Sequence, residues 1–150
     1  MTPNVKLFSL RTAVLMLLPL LLAMLWGFPG VGKLLGGGVP SWFADQFGKT
    51  LLAKAPGLTL SYYSIALLES LAALLALGSL LRGEFLRAPP PALLYLALVT
   101  SLLLFVQLSL GKQLLSDYDA VHDLYMYFVG TVVLLLAVRS FDAAVPPARA

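Results

Sequence analysis

The stretch from Leu58 to Leu81 constrains this chain most: LTLSYYSIALLESLAALLALGSLL holds a single charged residue, Glu69, near its midpoint. At about 1.5 Å of rise per residue, a helix of that length crosses a hydrocarbon core of roughly 30 Å. An acid at that depth costs about 2.5 to 3.5 kcal/mol on insertion scales. Glu69 must therefore turn inward among other helices, pair with a donor or a cation, or carry a proton. What the remaining segments offer it is the best guide to fold and function.

Those segments are apolar too. The 150 residues are 60% hydrophobic and 11% charged, more apolar surface than a soluble domain of this size can bury. A first span is expected from about Thr12 to Phe28, behind Lys6 and Arg11. Its cationic start and apolar middle also fit a signal peptide, but no small-x-small cleavage site follows and the uncharged run reaches Gly32. Phe28-Pro29-Gly30 is expected to end this helix, because proline cannot continue the backbone ladder. A third span is expected at about Ala92–Gly111 and a fourth at about Asp119–Ser140. The connection between them, Lys112 to Asp117 or shorter, makes them antiparallel neighbours, and Ser116 with Asp119 imitates a capping box.

The first connection is the longest. Its glycine-rich start lacks the spacing and the Lys-Ser/Thr ending of a P-loop, which argues against phosphate binding. Over residues 41–54, SWFADQFGKTLLAK, helical spacing puts Phe43, Phe47 and Leu51 on one face, opposite Asp45 and Lys49. Two readings stand: a helix in the membrane interface with Trp42 and Phe43 at headgroup depth, or a loop helix packed on the bundle. The fold class is thus an all-α membrane protein: a single-domain four-helix transmembrane bundle with a short interfacial helix in the first loop.

Charge is sparse and scattered. The net +3 forms no basic stripe, so it reads as orientation and lipid contact rather than nucleic-acid binding. Lys6, Arg11, Arg82, Arg87, Arg139 and Arg149 fall on one side of the membrane, and Lys33, Lys49, Lys54 and Lys112 on the other. Six against four places both termini in the cytoplasm, with Arg11, Arg82, Arg87 and Arg139 as topology anchors. The absence of cysteine excludes dithiol chemistry and thiolate metal sites. The serines have no neighbouring base, so nothing points to nucleophilic catalysis.

Two groups of polar residues remain as candidate sites. Within the spans, Glu69 can be met by Tyr62 on its own helix, or by Thr100 and Gln107, which share a face of the third span. Either Glu69 lines a cavity, as a proton acceptor or as partner to the polar head of a lipophilic molecule such as a quinone, or it pins helix packing. At the outer edge lie Asp119, His122 and Asp123, on one stripe with Met126. Lys33 can fold back from its loop towards Glu69, Asp119 or Asp123. The stripe suits a proton or polar-headgroup role as well as plain helix capping. One histidine and no cysteine make no recognised metal signature, so no metal site is assigned, and His122 supplies at most one axial haem ligand.

One pattern joins these residues. Arg11 enters the first helix, Gly30-Val-Gly-Lys33-Leu34 follows it, Glu69 lies within the second span, and Gly78 precedes Arg82 at its end. In this the chain resembles the DoxX family of small four-span membrane proteins, over roughly residues 7–85 and beyond them through helix count alone. The resemblance implies an accessory or subunit protein in a redox setting, one branch being like the small membrane subunit of thiosulfate:quinone oxidoreductase. It implies a bacterial inner-membrane protein that is not catalytic alone, with a quinone as the candidate ligand. Its partners would be the lipid bilayer and either another membrane protein or a second copy, with no nucleic acid. The alternatives are a non-catalytic assembly or scaffold protein and, more weakly, a small transporter or lipid-binding protein.

Overall fold

The apolar runs fold into four long helices. The computed structural model describes residues 3–54, 56–86 and 90–143, with side chains between Leu10 and Phe141. The helices are α1 (Pro3–Leu35), α2 (Ser41–Phe47), α3 (Gly57–Leu81), α4 (Ala92–Leu114) and α5 (Tyr118–Ala143). Single 3-10 turns at Leu51–Ala53 and Glu84–Leu86 punctuate the connections, and no strand occurs among the described residues. Four helices are long and apolar enough to cross a membrane, over Leu10–Leu35, Gly57–Leu81, Ala92–Leu114 and Tyr118–Phe141.

The spans pack in chain order: α1 lies against α3, α3 against α4, and α4 against α5, while α1 and α5 meet only lightly. Alanines make the close approaches. Ala72, Ala73 and Ala76 of α3 are buried between Leu15, Leu22 and Trp26 of α1 and Leu98, Leu104 and Phe105 of α4. Small side chains let helix backbones come close, and the dispersion contacts so gained replace a hydrophobic drive that lipid cannot supply. Trp26 reaches across to α4, where its indole N–H donates to Ser101 Oγ at 2.9 Å and its ring meets Phe105 at 5.2 Å between centroids.

Three expectations about boundaries need correction. The first helix does not end at Phe28: α1 carries both Pro19 and Pro29 inside it and runs to Leu35. A break at membrane depth would leave several backbone groups without partners, each at a cost of several kcal/mol, whereas a proline within a packed helix disturbs far fewer. Packing also holds this turn, since a Cβ on Gly30 would lie 2.8 Å from the Ser70 backbone nitrogen. The helix stops instead in the glycine run, where Gly37 (φ +75°) and Gly38 (φ +148°) adopt conformations that L side chains rarely take.

The expected helix over residues 41–54 is shorter. α2 ends at Phe47, and Thr50 opens a separate 3-10 turn by accepting the Leu52 N–H at 3.2 Å on its hydroxyl. Phe43 and Phe47 are buried with Tyr62, while Leu51 is exposed and takes no part in that face. Phe43 therefore faces the bundle rather than lipid. α2 packs on the bundle through the Phe43 and Phe47 rings, with Trp42 left exposed at its edge.

The third correction is the cap of α5. Ser116 sits in the turn with φ of 56°, and Asp117 is the capping residue, its carboxylate accepting the Ala120 N–H at 3.3 Å. At the other end of the bundle Glu84 plays a like part for α4. It accepts the Leu93 and Leu94 N–H groups at 3.0 and 3.2 Å and the Ser79 hydroxyl at 2.7 Å, tying α3 to the start of α4. A carboxylate there satisfies orphan donors and faces the positive helix end.

Candidate functional site

Glu69 is the middle residue of α3, and its partner is Lys33. The ammonium lies 2.7 Å from both carboxylate oxygens, so the pair is bidentate. The elements that bring them together follow from α1 running on past Pro29. Gly27 faces Ala73 and Gly30 faces Ser70, an antiparallel register in which a further turn of α1 moves one turn back along α3. The long Lys33 side chain reaches back from the next turn to Glu69. Leu35, the end of α1, thus falls opposite the turn at Ala66. Over its first turns α3 packs Leu58, Tyr62 and Tyr63 against Phe43 and Phe47 of α2 and against Leu52. The Phe43 ring lies 5.3 Å from Tyr62.

That packing is incomplete, and a cavity of about 610 Å³ remains. Its walls are mostly apolar: Phe43 and Phe47 of α2, Ile65 of α3, Leu108 of α4 and Leu124 of α5. The polar atoms come from Lys33, Gln46, Ser61, Gln107, Lys112, Asp123 and Tyr127. Size and lining match small-molecule sites, which are apolar clefts of about 300–1,000 Å³ with a few convergent polar groups. Within the ion pair, the Lys33 side chain is 22% exposed and that of Glu69 only 4%. An incoming molecule therefore meets the ammonium, and Glu69 lies behind it.

The structure rearranges the candidate partners of Glu69. Tyr62 belongs to the aromatic cluster under α2. The Thr100 hydroxyl donates to its own helix, at Leu96 O, 2.8 Å away. Gln107 donates through Nε2 to Ser64 Oγ. None of the three is the group that holds Glu69, which accepts from Lys33 through both oxygens. Gln107 and Lys33 do share the cavity wall.

The outer-edge cluster is also divided. Asp119, His122 and Asp123 are exposed on the first turns of α5, and of these only Asp123 lines the cavity. Lys33 does not reach Asp119 or Asp123, because it is part of a helix committed to α3. Among the described residues, no group of three histidine, cysteine or acidic side chains has metal-binding geometry. Nearby, Lys112 Nζ lies 2.8 Å from Asp117. The hydrogen bond from Lys112, with a second from the Ala120 N–H, holds the Asp117 carboxyl below the usual carboxylate range.

Of the expected anchors, Arg82 and Arg139 are exposed at helix ends, whereas Arg11 is buried, with 4% of its surface exposed. Arg87 lies outside the described residues. The residues that sequence reading missed are Glu84, Asp117 and Ser101. Only Asp117 carried a local signal, an acid just ahead of a helix start.

The fold and site define a class: a four-span helical membrane protein with a part-buried lysine–glutamate pair whose lysine lines an apolar cavity. Compared with family models, with curated proteins and with solved structures, the chain matches none.

Proposed function

We propose that this protein is an accessory or subunit protein of a quinone-linked membrane oxidoreductase system, holding a lipophilic molecule with a polar oxygen head in the cavity under α2. One observation carries the reading: a cavity of about 610 Å³ with mostly apolar walls has Lys33, the partner of Glu69, in its lining. Apolar walls suit a tail, and an ammonium with one N–H beyond the two taken by Glu69 suits an oxygen acceptor such as a quinone carbonyl. The redox setting, the bacterial inner membrane and cytoplasmic termini come from the resemblance to the DoxX family and from the distribution of lysine and arginine. With one histidine and no cysteine the chain supplies at most one axial haem ligand of those types, so in this reading electrons pass through a partner.

The test is purification in mild detergent, followed by solvent extraction, mass spectrometry and an absorbance spectrum of whatever accompanies the chain. The expected result is a lipophilic oxygen-headed molecule, with a partner bearing flavin, haem or an iron centre. Gly111→Leu, which pushes a side chain against Phe47 at the cavity wall, should lose the small molecule. An empty cavity in the native protein, unchanged by Gly111→Leu, would reject the reading.

A second reading is favoured by α5. Only 11% of its most apolar window is buried, against 39% in each other span. A scaffold that offers this helix to the spans of a larger complex fits that surface, and partner retention after loss of the small molecule would select it.

A further inference from the structure

Granted that the cavity is a ligand site, three features around Lys33 narrow the chemistry of the occupant. The ammonium comes first, since Lys33 lines the cavity and Glu69 does not. The carboxylate holds that ammonium through both oxygens at 2.7 Å, in the same bidentate way that a ligand oxyanion would. Finally, the pair is self-neutralising at the middle of α3, so an added anion would set two negative groups on one cation in a poorly solvated place. The other charged and titratable groups at the cavity do not relieve this. Lys112 of α4 is held by Asp117, α5 contributes Asp123 and Tyr127, and α2 adds only the neutral Gln46. Tyr62 of α3 is packed against Phe43.

We infer that the cavity selects lipophilic weak acids, which enter neutral, pass their proton to Glu69 and leave their oxyanion in its place on Lys33. The exchange balances without any other reactant. One O–H bond breaks on the ligand and one forms on the Glu69 carboxyl. An ammonium and one oxyanion are present before and after, and no electron moves. A quinone without a hydroxyl has no acidic proton and an alcohol O–H is far too weakly acidic to protonate a carboxylate, so neither displaces Glu69 in this way. Two sources share the required chemistry, a fatty acid and an alkyl hydroxyquinone.

The experiment is titration calorimetry on the full chain in lipid nanodiscs, with dodecanoic acid, dodecanol, an alkyl hydroxynaphthoquinone and an alkyl benzoquinone. Both acids should bind about tenfold or more tighter than the two neutral probes. Above each acid's own pKa, its apparent affinity should fall about tenfold per pH unit, with one proton taken up per molecule bound, read from buffers of different ionisation heat. Glu69→Gln keeps the side chain's size but cannot accept the proton, so it should bind the anion without proton uptake and with a flat pH profile. Should that variant fail to fold, the proton count and the acid-to-alcohol ratio of the native protein still decide. A tighter fatty acid supports a lipid source and a tighter hydroxyquinone a redox source. Equal binding of dodecanol or benzoquinone, or acid binding with no proton uptake, overturns the inference while leaving the cavity a ligand site. No binding of any of the four rejects the ligand-site reading itself.

Discussion

Two ion pairs at the α2 end of the bundle are chemically alike and physically opposite. Lys33–Glu69 and Lys112–Asp117 have N···O distances of 2.7 and 2.8 Å. Their side-chain exposures are 22% and 4% in the first, 39% and 40% in the second. Water screens the exposed pair and can replace either partner, so its contribution to stability is small. At Glu69 water cannot do this. Forming the buried pair gains little over apolar packing, but removing one member strands the other without a counter-charge. Distance alone therefore says nothing of what an ion pair does. Surroundings decide it, and they also decide which pair can be used, because only the buried one can respond to a ligand.

The largest break in that comparison comes from Glu69→Ala. It leaves the Lys33 ammonium inside the bundle and should cost about 3–5 kcal/mol in denaturant unfolding in detergent. Lys33→Ala with Glu69→Ala together should cost clearly less than the sum of the two single changes. Next is Gly30→Ala, whose methyl would meet the Ser70 nitrogen at 2.8 Å and Glu69 Cβ at 3.0 Å. Forcing α1 and α3 apart beside the buried pair should cost about 1–3 kcal/mol by the same measurement. Trp26→Phe removes the 2.9 Å bond to Ser101 but leaves the ring contact, and should cost about 1 kcal/mol.

The smallest effect belongs to Asp117→Asn, which should not measurably move the melting temperature at neutral pH. Because Lys112 depresses the Asp117 pKa, the pair's contribution is present above the ordinary aspartate value. It is lost as pH falls through the lowered folded value, below about pH 4. A melting series from neutral pH into acid should therefore show Asp117→Asn tracking the native protein throughout, within the error of the measurement. Divergence at neutral pH of the size expected for Glu69 would erase the distinction between the pairs.

Much of this molecule was legible in its sequence. Length and composition of the apolar runs placed four spans, and the cost of an acid among them singled out Glu69. Its partner was harder to read. Pro29-Gly30 has the local chemistry of a helix stop, and only the cost of breaking a helix at membrane depth, plus packing on Ser70, carries α1 on to Lys33. The same limit hid the Glu84 cap, which acts across the proline run on Leu93 and Leu94, and the bond between Trp26 and Ser101, distant in the chain. α2 was foreseen as a helix, but its end at Phe47 depends on Tyr62 and the Thr50 turn. Local signals set the elements, whereas long-range contacts chose the pairs.

The chain has no cysteine, so pairs of engineered ones can report proximity directly. The most direct measurement is cross-linking in native membranes with a short bifunctional thiol reagent, comparing Lys33→Cys/Glu69→Cys with Lys33→Cys/Asp119→Cys. A lysine held by α1 against the middle of α3 predicts an efficient link in the first pair and none in the second. A link to position 119 with none to position 69 would contradict it.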